Sequence, residues 1–465
     1  MLFSSMTFIF MFLPVVCAVY FLLKEKYRNG WLLFASIVFY GWGEPRYLPI
    51  MLISILLNWA GALCVERMRR KKTAVAVTLI LNLAFLFYFK YTDFVIENIN
   101  EAFGTHFNLL KIVLPVGISF YTFQAMSYVV DVYRGEVRAQ SNLLKLGLYI
   151  ALFPPLIAGP IVKYHDIADQ IDGRTETAEK AVRGFQRFII GLAKKMLIAN
   201  TMGAVADKVF SLPVSDFDTL TAWIGAAAYA FQIFFDFSGY SDMAIGLSLV
   251  FGFHIPENFN YPYISKSITE FWRRWHISLS TWFKQYLYIP LGGNRVSKPR
   301  NYFNLLVVFL ATGFWHGASW NFIFWGLWHG FFIVFEKLTG WHKDKQSPVV
   351  RCVQHIYALF VVIVGWVMFR ADTMAYAWEY LKKMFGFGAP STMLYGLRYY
   401  ADTQEYATAA VAVLLSMPLF AKVLDFSAGK VWLRSAVNLG LMFLFLLSWG
   451  AIAASTYNPF IYFRF

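Results

Sequence analysis

GFWHGASWNFIFWGLWHG, residues 313 to 330, places His316 and His329 in the same tripeptide, Trp-His-Gly, inside an apolar and aromatic run that continues to Phe335. Before it lies ISKSITEFWRRWHISLSTWFKQYLYIPLGGNR (264 to 295), basic, aromatic and punctuated by Pro290 and two glycines. An imidazole within an apolar run is costly unless it is partnered or faces a polar cavity, so ionisable groups at membrane depth are functional candidates by default. Two of them in one repeated context need a joint explanation.

Working outward, the composition sets the class. Hydrophobic residues make up 58% of the 465 residues and charged ones 15%, too few charges to coat a soluble globule. Several apolar stretches reach the ~20 residues that cross a ~30 Å hydrocarbon core. About eleven such segments, some of them re-entrant, predict an all-α polytopic membrane protein. The alternating segments of a transmembrane β-barrel are absent. The net charge of +14 sits at the ends of apolar segments, which reads as orientation and attraction to lipid headgroups rather than nucleic-acid binding. Lys24, Lys26 and Arg28 after the first span put the N-terminus outside, and that span reads as retained rather than as a signal peptide. Cys17, Cys64 and Cys352 lack metal-ligand or redox spacing and read as small buried hydrophobes. No linker divides the chain, so residues 1–465 are expected to form one membrane-embedded domain, with 110–336 its motif-rich core.

Along the chain, 31 to 65 is expected to be a helical hairpin broken at Gly41–Pro45. A span at 73 to 90 should exit into a loop holding Asp93, Glu97 and Glu101, and another is expected at 112 to 130. Pro154-Pro155 and Gly159-Pro160 within 144 to 162 suggest a broken or re-entrant helix. The stretch 219 to 253 carries a polar island, FFDFSGYSD (234 to 242), with Asp236, Tyr240 and Asp242. Such groups either bond neighbouring helices together or line the path of a polar substrate.

Over 270 to 286, at about 100° per residue, Trp272, Trp275, Leu279, Trp282, Phe283 and Tyr286 fall on one face, with His276 at its border. This predicts one amphipathic helix lying in the membrane interface, tryptophans at headgroup depth. Between 264 and 300 there are seven Lys or Arg and one acidic residue, so this face is cytoplasmic. It is either a plain basic surface or a seat for a phosphate-bearing ligand.

At this point the chain resembles the membrane-bound O-acyltransferase (MBOAT) family, in its bacterial branch of alginate and other polysaccharide O-acetyltransferases. LPVGISFYTFQAMSYVVDVYRG (114 to 135), FPPLIAGPIVKY (153 to 164), FDFSGYSDMAIG (235 to 246), the 257 to 295 stretch and 313 to 330 carry the likeness, with the first and last residues of the chain. The resemblance implies a helical bundle with a central tunnel. It also implies that His316 is the essential histidine and that His276, in the Arg-Trp-His motif, assists. His329 matches a recurrent histidine of less defined role, for which a packed core position is the alternative. Trp315 and Trp328 would shape the bore, with packing as the other reading.

The resemblance further implies acetyl-CoA as donor substrate, its phosphates meeting Arg273, Arg274 and Lys284, with no resident cofactor and no metal. A neutral imidazole takes a proton from a hydroxyl near neutral pH, or attacks the thioester itself; sequence leaves both open. The tail 456–465, ending FIYFRF, resembles the C-terminus of a small peptide of the teichoic-acid D-alanylation system. Tyr462 would then carry acetyl to an extracytoplasmic SGNH-type acetyltransferase that acts on alginate, cellulose, peptidoglycan or another polysaccharide; an aromatic interfacial anchor is the alternative. The expected location is the inner membrane. The competing class is a transporter or flippase with the polar island as its substrate site, but transporters commonly show related halves with matching broken helices, and none is apparent here.

Overall fold

The computed structural model describes residues 1–343, 347–387, 395–419, 430–454, 457, 458 and 461, and among them there are helices and no strands. In chain order the helices used below begin with α1 (Phe8–Leu22), α2 (Glu25–Gly43), α3 (Leu48–Arg67), α4 (Lys71–Phe103), α5 (Ile118–Arg134) and α6 (Leu143–Ala151). They continue with α7 (Tyr164–Gly173), α8 (Ala178–Phe210), α9 (Thr219–Val250), α10 (Ile268–Arg274), α11 (Ile277–Phe283) and α12 (Lys298–His316). The last are α13 (Trp320–Thr339), α14 (Pro348–Arg370), α15 (Met374–Met384), α16 (Thr403–Leu415) and α17 (Val431–Ala454). By length and composition α3, α4, α8, α9, α14 and α17 can each cross a membrane. On α17 the apolar side chains Leu439, Met442 and Phe443 are exposed, as expected of a helix whose solvent is hydrocarbon. The all-α membrane class expected from the sequence is the class observed.

Several local expectations are corrected. Helix α4 runs on to Phe103, so Asp93, Glu97 and Glu101 belong to its last turns rather than to a loop. Asp93 has a reason to be there: its carboxylate accepts the backbone N–H of Leu110 (2.7 Å) and Ile112 (3.1 Å), holding the extended segment that follows. The next helix starts at Ile118, not near 112, because Gly117 at φ 77° turns the chain where a Cβ would meet the Leu156 carbonyl at 3.0 Å. The polar island at 234 to 242 does not interrupt α9, which is continuous. Cys64 and Cys352 are exposed rather than buried, on the apolar faces of α3 and α14.

Contacts group the chain into two compact units, Met1–Phe188 with Ser241–Glu257, and Ile189–Tyr240 with Asn258–Phe465. In the first, Asn58 of α3 and Asn82 of α4 exchange amide hydrogen bonds of 3.0 and 2.9 Å in a buried site, polar glue of the kind that joins membrane helices. The proline-rich break after α6 is met by partners: Ser36 Oγ accepts the Phe153 N–H (3.1 Å), Gln124 donates to the Tyr149 carbonyl (2.7 Å) and Tyr149 to the Val162 carbonyl (2.9 Å). Irregular backbone at membrane depth is tolerable only when satisfied in this way. His165 sits between Asp131 (3.2 Å) and Asp166 (3.1 Å).

The second unit is organised by glycine. A Cβ at Gly313 on α12 would lie 2.2 Å from the Phe322 carbonyl oxygen, and one at Gly326 on α13 would lie 2.3 Å from that of Phe309. The α12–α13 hairpin therefore packs backbone against backbone, the small-residue contact that membrane helices use in place of a hydrophobic driving force. Gly191 and Gly239 bring α8 and α9 together the same way, a Cβ at Gly239 falling 2.7 Å from the Gly191 carbonyl.

Candidate active site

His316 is the last residue of α12, where Gly317 turns extended and ends the helix. The hairpin then returns as α13 and brings Trp325 beside it, ring centroids 5.1 Å apart. Trp315 (5.0 Å) and Phe369 of α14 (5.2 Å) close the other sides. His316 is 5% exposed and lines a cavity of about 10 Å³ together with Ile233, Phe237, Trp275, Trp366 and Ile461. That volume holds about one water, so the imidazole sits in a small, mostly aromatic chamber.

The expected interfacial helix over 270 to 286 is instead two short helices, α10 and α11, broken at Trp275–His276. Its tryptophans do not face outward: Trp272, Trp275 and Trp282 are buried in the protein. The stripe reports burial correctly, and the break is what aims His276. That residue takes φ 43°, a left-handed conformation that a non-glycine residue adopts only when its surroundings hold it there. The surroundings are Asn258. Its Oδ1 accepts the Ser278 backbone N–H (3.2 Å) and hydroxyl (2.8 Å) and lies 3.1 Å from His276 Nδ1. Because a backbone N–H already donates to this atom, it is the amide oxygen, and His276 must donate to it from Nδ1. Nε2 is then the nitrogen with the lone pair. The two imidazoles are 6.4 Å apart, centroid to centroid, with Trp315 and Phe237 against His276.

The polar island divides. Asp236 is 1% exposed and forms an ion pair of 2.7 Å with the buried Lys195, on a π-helical turn of α8 (Lys194–Ala199). Its second oxygen accepts the Ile461 N–H at 2.8 Å. Tyr240 is buried in the same unit. Asp242 belongs to the other unit, half-buried, with Arg187 at 2.9 Å and Glu257 completing the cluster on that arginine.

The second Trp-His-Gly behaves differently from the first. His329 is fully buried between Trp272 and Trp325 (5.3 and 5.1 Å), stacked on Phe271, and neither ring nitrogen has a hydrogen-bond partner among the described residues. Nε2 is pressed against Gly365, where a Cβ would lie 2.9 Å away. The core position considered for it is where it lies, though without the hydrogen bond such a core histidine ordinarily makes. Trp328 is half-buried and donates its indole N–H to the Val361 carbonyl (2.9 Å), outside the His316 chamber. Trp325 holds the place expected of it.

Arg273 and Arg274 border a separate cleft of about 520 Å³, together with Lys266, His342 and Lys343. Arg274 is held by Glu270 (2.9 Å) and the Asn260 carbonyl (3.1 Å), while Arg273 is exposed. Lys284 is exposed and does not line this cleft. Glu336 went unnoticed in the sequence: its buried carboxylate accepts the N–H of Ile268 and of Thr269 (2.9 Å), capping α10 and fixing the helix that presents the arginines. Tyr462 lies outside the described residues; of the tail, Tyr457, Asn458 and Ile461 are described.

One buried imidazole lining a small, mostly aromatic chamber, with a second buried imidazole 6.4 Å from it, in a polytopic helical membrane protein is the arrangement the structure presents. Residues 136–378 match the model of the MBOAT, membrane-bound O-acyltransferase, family. The chain is 46% identical over 396 residues to a probable alginate O-acetylase of Pseudomonas aeruginosa, covering 83% of this chain and 75% of that one. It is 40% identical to the protein of the same description from Azotobacter vinelandii, over 100% of both chains. A peptidoglycan O-acetyltransferase of Helicobacter pylori is 37% identical over 84% of this chain and 81% of its own. The chain belongs to the membrane-bound O-acyltransferase family: it is a multi-pass membrane acyltransferase.

Proposed function

We propose that the protein takes acetyl from acetyl-CoA on the cytoplasmic side of the inner membrane and passes it outward for O-acetylation of an exported polysaccharide. The observation that carries this reading is the chamber itself, which His316 shares with a residue of the C-terminal tail, Ile461, while the His276 ring lies 6.4 Å from that of His316. The relatives' acceptors, alginate and peptidoglycan, make a sugar hydroxyl the final acceptor. An SGNH-type extracytoplasmic partner would complete delivery, and the N-terminus would lie outside.

The cleft bordered by Arg273 and Arg274 supports the donor assignment: about 520 Å³ is within the range of small-molecule sites, and its five basic side chains suit phosphates. The thioester would travel through the bundle to His316. There a tail hydroxyl, assigned to Tyr462, loses its proton to the imidazole as its oxygen attacks the thioester carbon. The C–S bond breaks, and the imidazolium returns the proton to the departing thiolate. Thiol and phenol have pKa values of about 8.5 and about 10, so the phenyl ester keeps enough leaving-group activity to acetylate a serine or sugar hydroxyl next. Asp236 serves the acyl path through the tail, and Asp242 and Tyr240 support the surrounding helices.

The test is intact-mass analysis of the purified protein in lipid nanodiscs with acetyl-CoA. One acetyl should appear on Tyr462 in the wild type and be missing in Tyr462→Phe and in His316→Ala. Polymer acetylation at the wild-type level in a folded His316→Ala protein would refute the assignment.

A further inference from the structure

The Lys195–Asp236 pair is costly where it stands. Both side chains are essentially buried, at 4% and 1% exposure, within helices that cross the membrane. Taking two charges out of water carries a penalty of several kcal/mol per ion that mutual attraction does not dependably recover. Adhesion between α8 and α9 does not explain the pair, because Gly191 and Gly239 already hold these helices in backbone contact. What the pair does that glycine cannot is present a second, charged carboxylate oxygen to a third element. That oxygen accepts the backbone N–H of Ile461 at 2.8 Å.

A second carboxylate treats the tail alike. Asp207 of α8 accepts the Tyr457 hydroxyl on one oxygen (2.7 Å) and pairs with Arg370 of α14 on the other (2.6 Å). Asn200 reaches the Tyr457 carbonyl (3.4 Å), and Gly203 leaves room for the ring, since a Cβ there would lie 3.1 Å from the Tyr457 hydroxyl. The tail is thus held at residues 457 and 461 by two carboxylates, each paired with its own cation.

We infer that Asp236, paired with Lys195, is a positioning residue that holds the C-terminal tail at the wall of the His316 chamber through the Ile461 amide. Asp207 with Arg370 anchors the same tail one turn of sequence earlier. The inference rests on the reading of the tail as acyl acceptor, and it adds the groups that set which residue is offered to His316. Every residue but proline offers a backbone N–H, so the Tyr457 hydroxyl on Asp207 selects the register and the Ile461 N–H on Asp236 holds the chain in it four residues further on.

The test uses the full-length protein in nanodiscs and two variants that remove the same bond differently. Asp236→Leu with Lys195→Met removes the acceptor and both buried charges together, and Ile461→Pro removes the donor N–H, read against Ile461→Ala, which loses the side chain and keeps the N–H. Hydrogen exchange at the Ile461 amide, read in wild type and in Asp236→Leu/Lys195→Met, should accelerate at least about tenfold in the variant. In both variants the rate of acetyl transfer to the tail should fall roughly 10- to 100-fold, the range carried by a charge-assisted hydrogen bond. The KM for acetyl-CoA should stay at the wild-type value, which a general loosening of the bundle would not permit. Unchanged exchange at Ile461 overturns the clamp. Faster exchange with unchanged transfer overturns its positioning role. Absence of acetyl on the wild-type tail would instead remove the relay reading of the previous section, and the exchange measurement would still decide the clamp.

Discussion

His316 and His329 occupy the same tripeptide, and the fold gives them opposite surroundings. His316 ends a helix, at a turn, with a chamber in front of it and a second imidazole 6.4 Å away. His329 sits mid-helix, walled by Phe271, Trp272 and Trp325, with Gly365 against its Nε2. A catalytic base needs space for a substrate atom within hydrogen-bond reach; a packing histidine needs the reverse. The tripeptide does not decide between them. Position along the helix does.

The sharpest way to break this contrast is to remove the two rings in turn. His316→Ala should reduce acyl transfer by at least about 10³-fold, combining loss of proton transfer with loss of orientation, in a protein that remains monodisperse in detergent. Asn258→Ala comes next. Without its Oδ1, His276 loses the acceptor that sets its tautomer, and transfer should drop roughly 10- to 100-fold. Its signature would be a partial rescue by Asn258→Asp, which restores an acceptor. Gly365→Ala tests the wall behind the second histidine: the new methyl would push on the His329 ring and cost about 1–3 kcal/mol. This should appear as a lower thermal midpoint with near-normal transfer per folded molecule. The smallest effect is expected for His329→Phe. Replacing an imidazole with unmatched nitrogens by an apolar ring removes a burial cost of about 1–3 kcal/mol, so the thermal midpoint should hold or rise and transfer should stay within about threefold. A loss of transfer comparable to that of His316→Ala would show that the contrast is wrong.

The membrane class was legible because it depends on totals and segment lengths, which the hydrocarbon thickness fixes directly. The segment ends were less so. Asp93, Glu97 and Glu101 look like loop residues by charge, whereas α4 continues through them, with the Asp93 carboxylate accepting backbone N–H groups of the segment that follows. The stripe over 270 to 286 reads as one continuous helix, and a period of 3.6 cannot reveal a two-residue break. His276 at positive φ keeps the apolar face on both sides of the kink, so the pattern survives the break that matters. Gly313, Gly317, Gly326 and Gly330 were a legible signal that went unused: two small-xxx-small pairs mark the faces on which α12 and α13 touch, and would have pointed to Trp325 rather than Trp328. The contact of Asp236 with Ile461 joins residues far apart in sequence, and nothing in the local pattern of either announces it.

The hairpin contact has a bearing on what acyl groups the enzyme can be made to accept. Where two helices meet at their peptide groups, the backbones that carry His316 and Trp325 have no slack to give. Room for a longer chain must come from the opposite sides, by shortening Ile233, Phe369 or Trp366. A variant tuned for propionyl or butyryl would carry its changes there, and would leave the glycine seam untouched.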